Sequence, residues 1–290
     1  MPPTLDAVLW QLRLPRVLLT ALVGGMLAMA GASYQGVFRN PLADPYLLGA
    51  AAGAGLGATL VIALTPVGSP QSASMPAAAF VGALTGVGLA YLLGSLAGRH
   101  GGGSATLLLA GVAVAAFLTA VQTVVQQAHA DTLREVYSWL LGQLGAGHWD
   151  EVRLVLPYLA VSAALLLGSA RALDVLAVGD EEAATLGLRP RRVRLVVLLA
   201  ASLGTAAAVS VSGLIGFVGL VVPHVVRRLA GGSYRVVLPV SMLGGAAFLV
   251  LADLVARTVI APGELPIGVV TAFVGAPFFA ALLRAGGGST

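Results

Sequence analysis

The ionisable side chains are few in kind: sixteen basic residues, all of them arginine, twelve acids, four histidines and no cysteine. Without cysteine there is no disulfide, no thiolate nucleophile and no iron–sulfur ligand. Without lysine there is no P-loop of the form G-x-x-x-x-G-K-[ST], whose lysine reaches the β- and γ-phosphates, and no Schiff-base amine. The chain is therefore not itself a P-loop ATPase. His100, His129, His148 and His224 form no i, i+3 or i, i+4 pair, so no metal site is pre-built on one helix face. Proton and ion relays place ionisable groups in mid-span. Here Asp253, Arg257 and Glu264 stand toward one end of an apolar run or beyond it, and His224 and Asp44 stand near the ends of theirs. The pattern argues against ion-coupled transport, and no cofactor, catalytic or metal-binding residue is assigned to this chain.

The elements that must position these groups are apolar. The 290 residues are 58% hydrophobic and 10% charged, with a mean hydropathy of +0.95, whereas a soluble domain carries about 25% charged residues. Apolar stretches recur at 17–36, 47–64, 77–97, 106–127, 152–170, 193–211, 214–229, 236–256 and 267–283. Each is near the ~20 residues that cross a ~30 Å hydrocarbon core. The reading is an all-α, polytopic membrane bundle of about nine transmembrane helices in one domain, 1–290. The net charge of +4 is scattered among these runs and forms no basic tract, so it indicates loop anchoring at the lipid surface and no nucleic-acid partner. No basic segment precedes an early apolar core, so a cleavable signal peptide is not expected.

Two segments are too polar to cross. Residues 131–144 (DTLREVYSWLLGQL) space Leu133, Val136, Tyr137, Leu140, Leu141 and Leu144 as one helical face and read as a short interfacial helix. Residues 173–188 (LDVLAVGDEEAATLGL) carry three consecutive acids between Arg171 and the arginines at 189, 191, 192 and 194, and read as a solvated connection of one or two short helices. Alternate connections divide the arginines eleven to five, the larger group comprising Arg39, Arg99, Arg171, the 189–194 cluster, Arg227, Arg228, Arg235 and Arg284. The positive-inside tendency places that side, and the C-terminus, in the cytoplasm; nine spans then start outside. Gly49, Gly53 and Gly57, with Gly82 and Gly86, fall at four-residue steps, which suits close helix packing in lipid or a glycine-faced conduit. Pro223 has no N–H for the carbonyl of Gly219, so a kink is expected there.

Three runs carry a resemblance: RLPRVLLTALVGGMLAMAGASYQGVFRNPLADPYLLG (13–49), SGLIGFVGLVVPHVVRRLAG (212–231) and LADLVARTVIAPGELPIGVVTAFVGAPFF (251–279). In order and separation they resemble the permease subunits of type II ABC importers for iron-siderophores, haem and cobalamin. The resemblance implies a homodimer in the bacterial inner membrane with the pathway along its axis. It also implies two ATPases on the cytoplasmic face that bind ATP and magnesium, and a periplasmic binding protein that delivers cargo. Residues Leu173, Leu176, Gly179, Ala183, Leu186 and Gly187 match the cytoplasmic coupling helices. Asn40 in RNPLADP matches a cytoplasmic gate, and Ala128, His129 and Ala130 in QQAHAD match a periplasmic gate. His129 there is either a transient contact for haem or ferric iron or a solvated loop histidine. Arg13, Arg16 and Arg257 fall at positions that contact the binding protein. Relatives usually carry one more span ahead of the RLPR run, so nine spans are expected where the family has ten. A secondary carrier or facilitator would need a mid-span acid or an inverted repeat of interrupted helices, and a signalling subunit would need a soluble module; neither feature stands out. The cargo is left open among siderophore, haem and cobalamin.

Overall fold

A computed structural model describes residues 3–65, 74–97, 104–144 and 147–286, and every regular element among them is helical. His100 and Arg99 lie outside the described residues. The chain opens with α1 (Pro3–Val8), a π-helical turn (Leu9–Arg13) and α2 (Leu14–Phe38), which run together as one long apolar helix. Arg39 ends it: in the left-handed region at φ 50°, it donates its N–H to Gly36 O while Asn40 N–H reaches Gln35 O. Pro41, next in the chain, disfavours helical geometry at Asn40. There follow α3 (Ala50–Leu64), α4 (Ser74–Ala97), α5 (Ser104–Ala128), α6 (Leu133–Leu140), α7 (Trp149–Gly168), α8 (Ala170–Val178), α9 (Asp180–Thr185), α10 (Pro190–Ser212), α11 (Val218–Ala230), α12 (Tyr234–Thr258) and α13 (Ile267–Gly286).

All nine apolar runs become helices among the described residues, and they differ in length. Among the described residues, six helices are long and apolar enough to cross a membrane: the Asp6–Phe38 stretch, α4, α5, α7, α10 and α12. The remaining three runs form α3 with 15 residues, α11 with 13 and α13 with 20. With 13 residues, α11 is only about 20 Å long, short of the hydrocarbon core. The run read as a span at 214–229 thus begins with four residues outside any helix, after Gly213 at φ 65° and up to Phe217 at φ 69°. A broken helix at membrane depth persists only where its backbone groups find partners. Here Gln143 N–H donates to Ser212 O at 2.9 Å, and the Tyr46 hydroxyl both donates to Ile215 O (3.1 Å) and accepts from Ile215 N–H (3.2 Å).

The break therefore sits ahead of Pro223, where the sequence placed a kink, and α11 runs through the proline. The carbonyl that Pro223 leaves free, Gly219 O, accepts from Gln35 Nε2 of α2 at 3.0 Å. The central pair is α2 and α10, joined by a buried 2.7 Å hydrogen bond between Tyr34 Oη and Ser202 Oγ. Glycines set the closest approaches: a Cβ on Gly53 would stand 2.0 Å from Gly82 O, and one on Gly31 would stand 2.2 Å from Gly219 O. The four-residue glycine steps thus bring α3 against α4 backbone to backbone, which is how helices associate in lipid without a hydrophobic driving force between them. Apolar side chains on the outside, among them Leu109, Phe117 and Val124 of α5 and Phe273 of α13, suit lipid or a second subunit.

Candidate functional site

The sequence-derived residues gather at the two ends of the bundle. At one end, α8 and α9 form a short hairpin joined at Gly179, which sits at φ 158° and ψ 161°. A side chain at Gly179 would meet Glu182 Oε2 at 1.9 Å. Leu173, Leu176 and Ala183 are fully buried under the hairpin, while Leu186 is 69% exposed and points away from the core; Gly187 closes α9 in the left-handed region at φ 82°. Two acids fix the hairpin to the spans. Asp180 receives Arg194 as a fork, Nη1 to Oδ2 at 2.7 Å and Nη2 to Oδ1 at 2.6 Å, and also Arg39 Nη2 at 2.6 Å. Asp174 accepts from Ser233 Oγ at 2.9 Å and from Tyr234 N–H at 2.6 Å. One small hairpin is thereby tied to the ends of α2, α10 and α12.

Asn40 lies beside this hairpin's anchor. Its Oδ1 accepts Leu42 N–H at 2.9 Å, a turn that steers the chain toward Asp44. Asp44 caps the following 3₁₀ turn (Pro45–Leu48) by accepting Tyr46 N–H at 2.8 Å. Burial pushes its carboxyl up to about 6, and the Tyr46 N–H only partly opposes that shift.

At the opposite end, α5 stops at Ala128 and the chain turns through His129 (φ −129°, ψ 59°) into a 3₁₀ turn starting at Ala130. His129 Nδ1 lies 3.1 Å from Val125 O, and Thr132 Oγ1 donates to His129 O at 2.9 Å. Both flanking alanines are exposed. Helix α6 is shorter than the 131–144 pattern because residues 141–144 turn away to receive other elements: Ile267 N–H donates to Gly142 O and Gly268 N–H to Leu141 O, each at 3.1 Å.

The three arginines share this end but not one role. Arg13 is exposed. Arg16 is committed within the chain, its Nη2 standing 2.8 Å from Asp253 Oδ1 and 2.9 Å from Glu264 Oε2, and its Nη1 3.2 Å from Glu264 Oε1. Arg257 Nε lies 3.2 Å from Asp253 Oδ2. Asp253, with a side chain 4% exposed, thus bridges two guanidiniums, while Glu264 is 52% exposed. A cavity of about 450 Å³ opens beside Arg16, Asp253 and Glu264. Among the described residues no three His, Asp or Glu side chains come together as metal ligands.

The profile of the FecCD transport family matches residues 2–285. The chain belongs to the FecCD transport family. FecCD relatives include the cobalamin import system permease protein BtuC of Halobacterium salinarum, 45% identical over 98% of this chain and 75% of the relative. The hemin transport system permease protein HmuU of Yersinia pestis is 41% identical over 92% of this chain and 80% of its own length. Among solved structures, an inward-facing metal-chelate type ABC transporter aligns with a TM-score of 0.88 at 31% identity, covering 98% of this chain and 90% of that one. As a FecCD chain with several apolar helices suited to crossing among its described residues, this is a multi-pass membrane protein. Sequence reasoning missed four acids of these two clusters: Asp174 and Asp180, hidden in a segment read as solvated, and Asp253 and Glu264, read only as lying toward one end of a span or beyond it. The i, i+4 spacing of Asp253 and Arg257 was the available signal for that pair.

Proposed function

We propose that the chain is the membrane-spanning permease of an ABC importer for an iron chelate, haem or cobalamin, working as a homodimer in a bacterial inner membrane with its C-terminus in the cytoplasm. The observation that carries this reading is the near full-length similarity to permeases named for cobalamin and haemin. Energy comes from a separate ATPase pair that binds ATP and magnesium, because this chain has no lysine for a P-loop.

The geometry supplies parts for each step. The α8–α9 hairpin, clamped through Asp174 and Asp180 to the ends of α2, α10 and α12, is a rigid lever: a push on exposed Leu186 moves three helix ends together. Asn40, on the loop that leaves the same end of α2, gates the cytoplasmic mouth. Ala128, His129 and Ala130 border the pathway at the other end. There Arg13 offers a free guanidinium to carboxylates of a binding protein, and Arg16 and Arg257 are oriented through Asp253.

Co-reconstitution of this chain with its ATPase and binding protein in liposomes tests the reading. ATP-driven uptake of the binding protein's ligand is expected. Leu186→Ser should leave ATP hydrolysis running while uptake falls at least about tenfold, a loss of about 1.4 kcal/mol in coupling. Uptake that proceeds without the ATPase would replace the importer reading by a carrier.

A further inference from the structure

At the end of the bundle where α2 begins, the cavity of about 450 Å³ lies where distant parts of the chain meet: Arg16 of α2, Asp253 of α12, Gln143 and Leu144 after α6, and Glu264 and Leu265 ahead of α13. Four of the five N–H bonds of the Arg16 guanidinium are spent on the two acids. Nε and Nη2 donate to Asp253 Oδ1 at 3.3 and 2.8 Å, and Nη1 and Nη2 donate to Glu264 Oε1 and Oε2 at 3.2 and 2.9 Å. The arginine side chain is 13% exposed. A carboxylate arriving from outside therefore finds no free pair of N–H groups, and it binds this cation only by replacing an acid already there.

The two acids differ in how replaceable they are. Asp253 is 4% exposed and also faces Arg257 at 3.2 Å, so removing it strands buried charge. Glu264 is 52% exposed, stands in the connection between α12 and α13, and makes a pair of the weak, exposed kind. Exchange at Glu264 leaves Arg16 neutralised by Asp253 throughout and returns the released carboxylate to water. The cavity beside both acids supplies room for the incoming group. Glu264 also pins the α12–α13 connection to α2. That connection leads directly to the turn after α6, where Ile267 N–H meets Gly142 O and Gly268 N–H meets Leu141 O, and Gln143 N–H of the same turn reaches Ser212 O ahead of the break before α11.

We propose that this cavity receives an acidic side chain of the binding protein, and that Glu264 occupies Arg16 in its stead until docking. The incoming carboxylate takes over the Arg16 fork, Glu264 swings into water, and the α12–α13 connection comes free of α2, which passes the docking event to the turn after α6. Glu264 is thus an internal competitor of the partner. The proposal rests on the importer reading and deepens it.

Two measurements on the full-length chain, assembled with its ATPase in nanodiscs, test the exchange. Association of the binding protein, followed by surface-based kinetics, should tighten about two- to fivefold in Glu264→Gln, the factor for one exposed ion pair, because the competitor is gone. Asp150→Asn removes an equal charge at the same end, where its side chain is 92% exposed and the adjacent Trp149 donates Nε1–H to Trp10 O; it should leave the affinity unchanged. The chain has no cysteine, so spin labels at Leu12→Cys and Ile260→Cys, both on exposed positions, report the distance from the start of α2 to the connection. That distance should lengthen when the binding protein is added, and should already be long in Glu264→Gln alone. Docking that Glu264→Gln weakens or leaves unchanged, an equal gain in Asp150→Asn, or a label distance that docking does not alter overturns the exchange while the importer reading stands. Failure of the wild type to associate with the binding protein at all overturns the importer reading, and the exchange with it.

Discussion

Asp253 and Glu264 hold the same guanidinium with very different stakes. Removing the charge of Asp253 leaves Arg257 without a carboxylate and Arg16 with Glu264 alone, in a setting where Asp253 is 4% and Arg16 13% exposed, and breaking a buried pair from one side costs about 3–5 kcal/mol. Glu264 is 52% exposed, so its share is that of a surface pair, about 0.2–1 kcal/mol. Thermal unfolding in detergent should therefore show a large loss for Asp253→Asn and a small one for Glu264→Gln; similar losses would mean that Asp253 is not the centre of the cluster. Asp44 gives a pH dependence of opposite character. Its folded-state pKa of about 6 stands above the ordinary 3.8 because burial disfavours the anion. The fold thus prefers the protonated acid, so the contribution is complete below about pH 4 and is lost as pH rises through about 6, amounting to about 1–3 kcal/mol. Unfolding followed across that interval should show stability falling with pH in the wild type and a flatter profile in Asp44→Asn.

Helices approach one another here as backbones, and glycine is the residue that permits it. A methyl at Gly53 would stand 2.0 Å from the Gly82 carbonyl oxygen, an atom that cannot swing aside as a side chain can. Gly53→Ala is expected to force α3 and α4 apart and cut the yield of monodisperse protein, while Gly88→Ala, where a Cβ meets nothing within 4 Å, should express normally; fluorescence-detected size exclusion separates the outcomes. Much at this scale was readable beforehand. The nine apolar runs become helices because a helix satisfies its own backbone groups in lipid, and the glycine steps, which also suited a glycine-faced conduit, mark the α3–α4 contact. What hydropathy could not show was the break before α11, since Leu214, Ile215 and Phe217 are as apolar as any helix interior and the stabilising partners, Gln143 and Tyr46, lie far away in the chain. The hairpin acids were hidden for the reverse reason: DEE beside arginines looks like a solvated loop, and Asp180 is indeed 41% exposed, yet it pairs with Arg39 and Arg194.

Across the whole molecule, α2 meets both clusters. Arg16 near its start joins the Asp253 network, Tyr34 ties it to α10, and Gln35 near its end reaches Gly219 and Arg227. The last of these links constrains how the sequence can change over time. A proline within a helix ordinarily costs about 3 kcal/mol, in part through the carbonyl it strands, but at Pro223 that carbonyl is already served by Gln35. Gln35 therefore acts as a permissive residue for Pro223. Losing Gln35 alone strands Gly219 O and Arg227 together; losing Pro223 alone restores the helix's own N–H and releases the amide. A double-mutant cycle of Gln35→Leu and Pro223→Ala should show coupling of about 0.5–3 kcal/mol, with the Gln35 substitution less damaging once the proline is gone. Simple additivity would deny the link. If the coupling holds, a lineage can acquire the proline safely only after the glutamine is in place, and can discard the glutamine safely only after the proline has left.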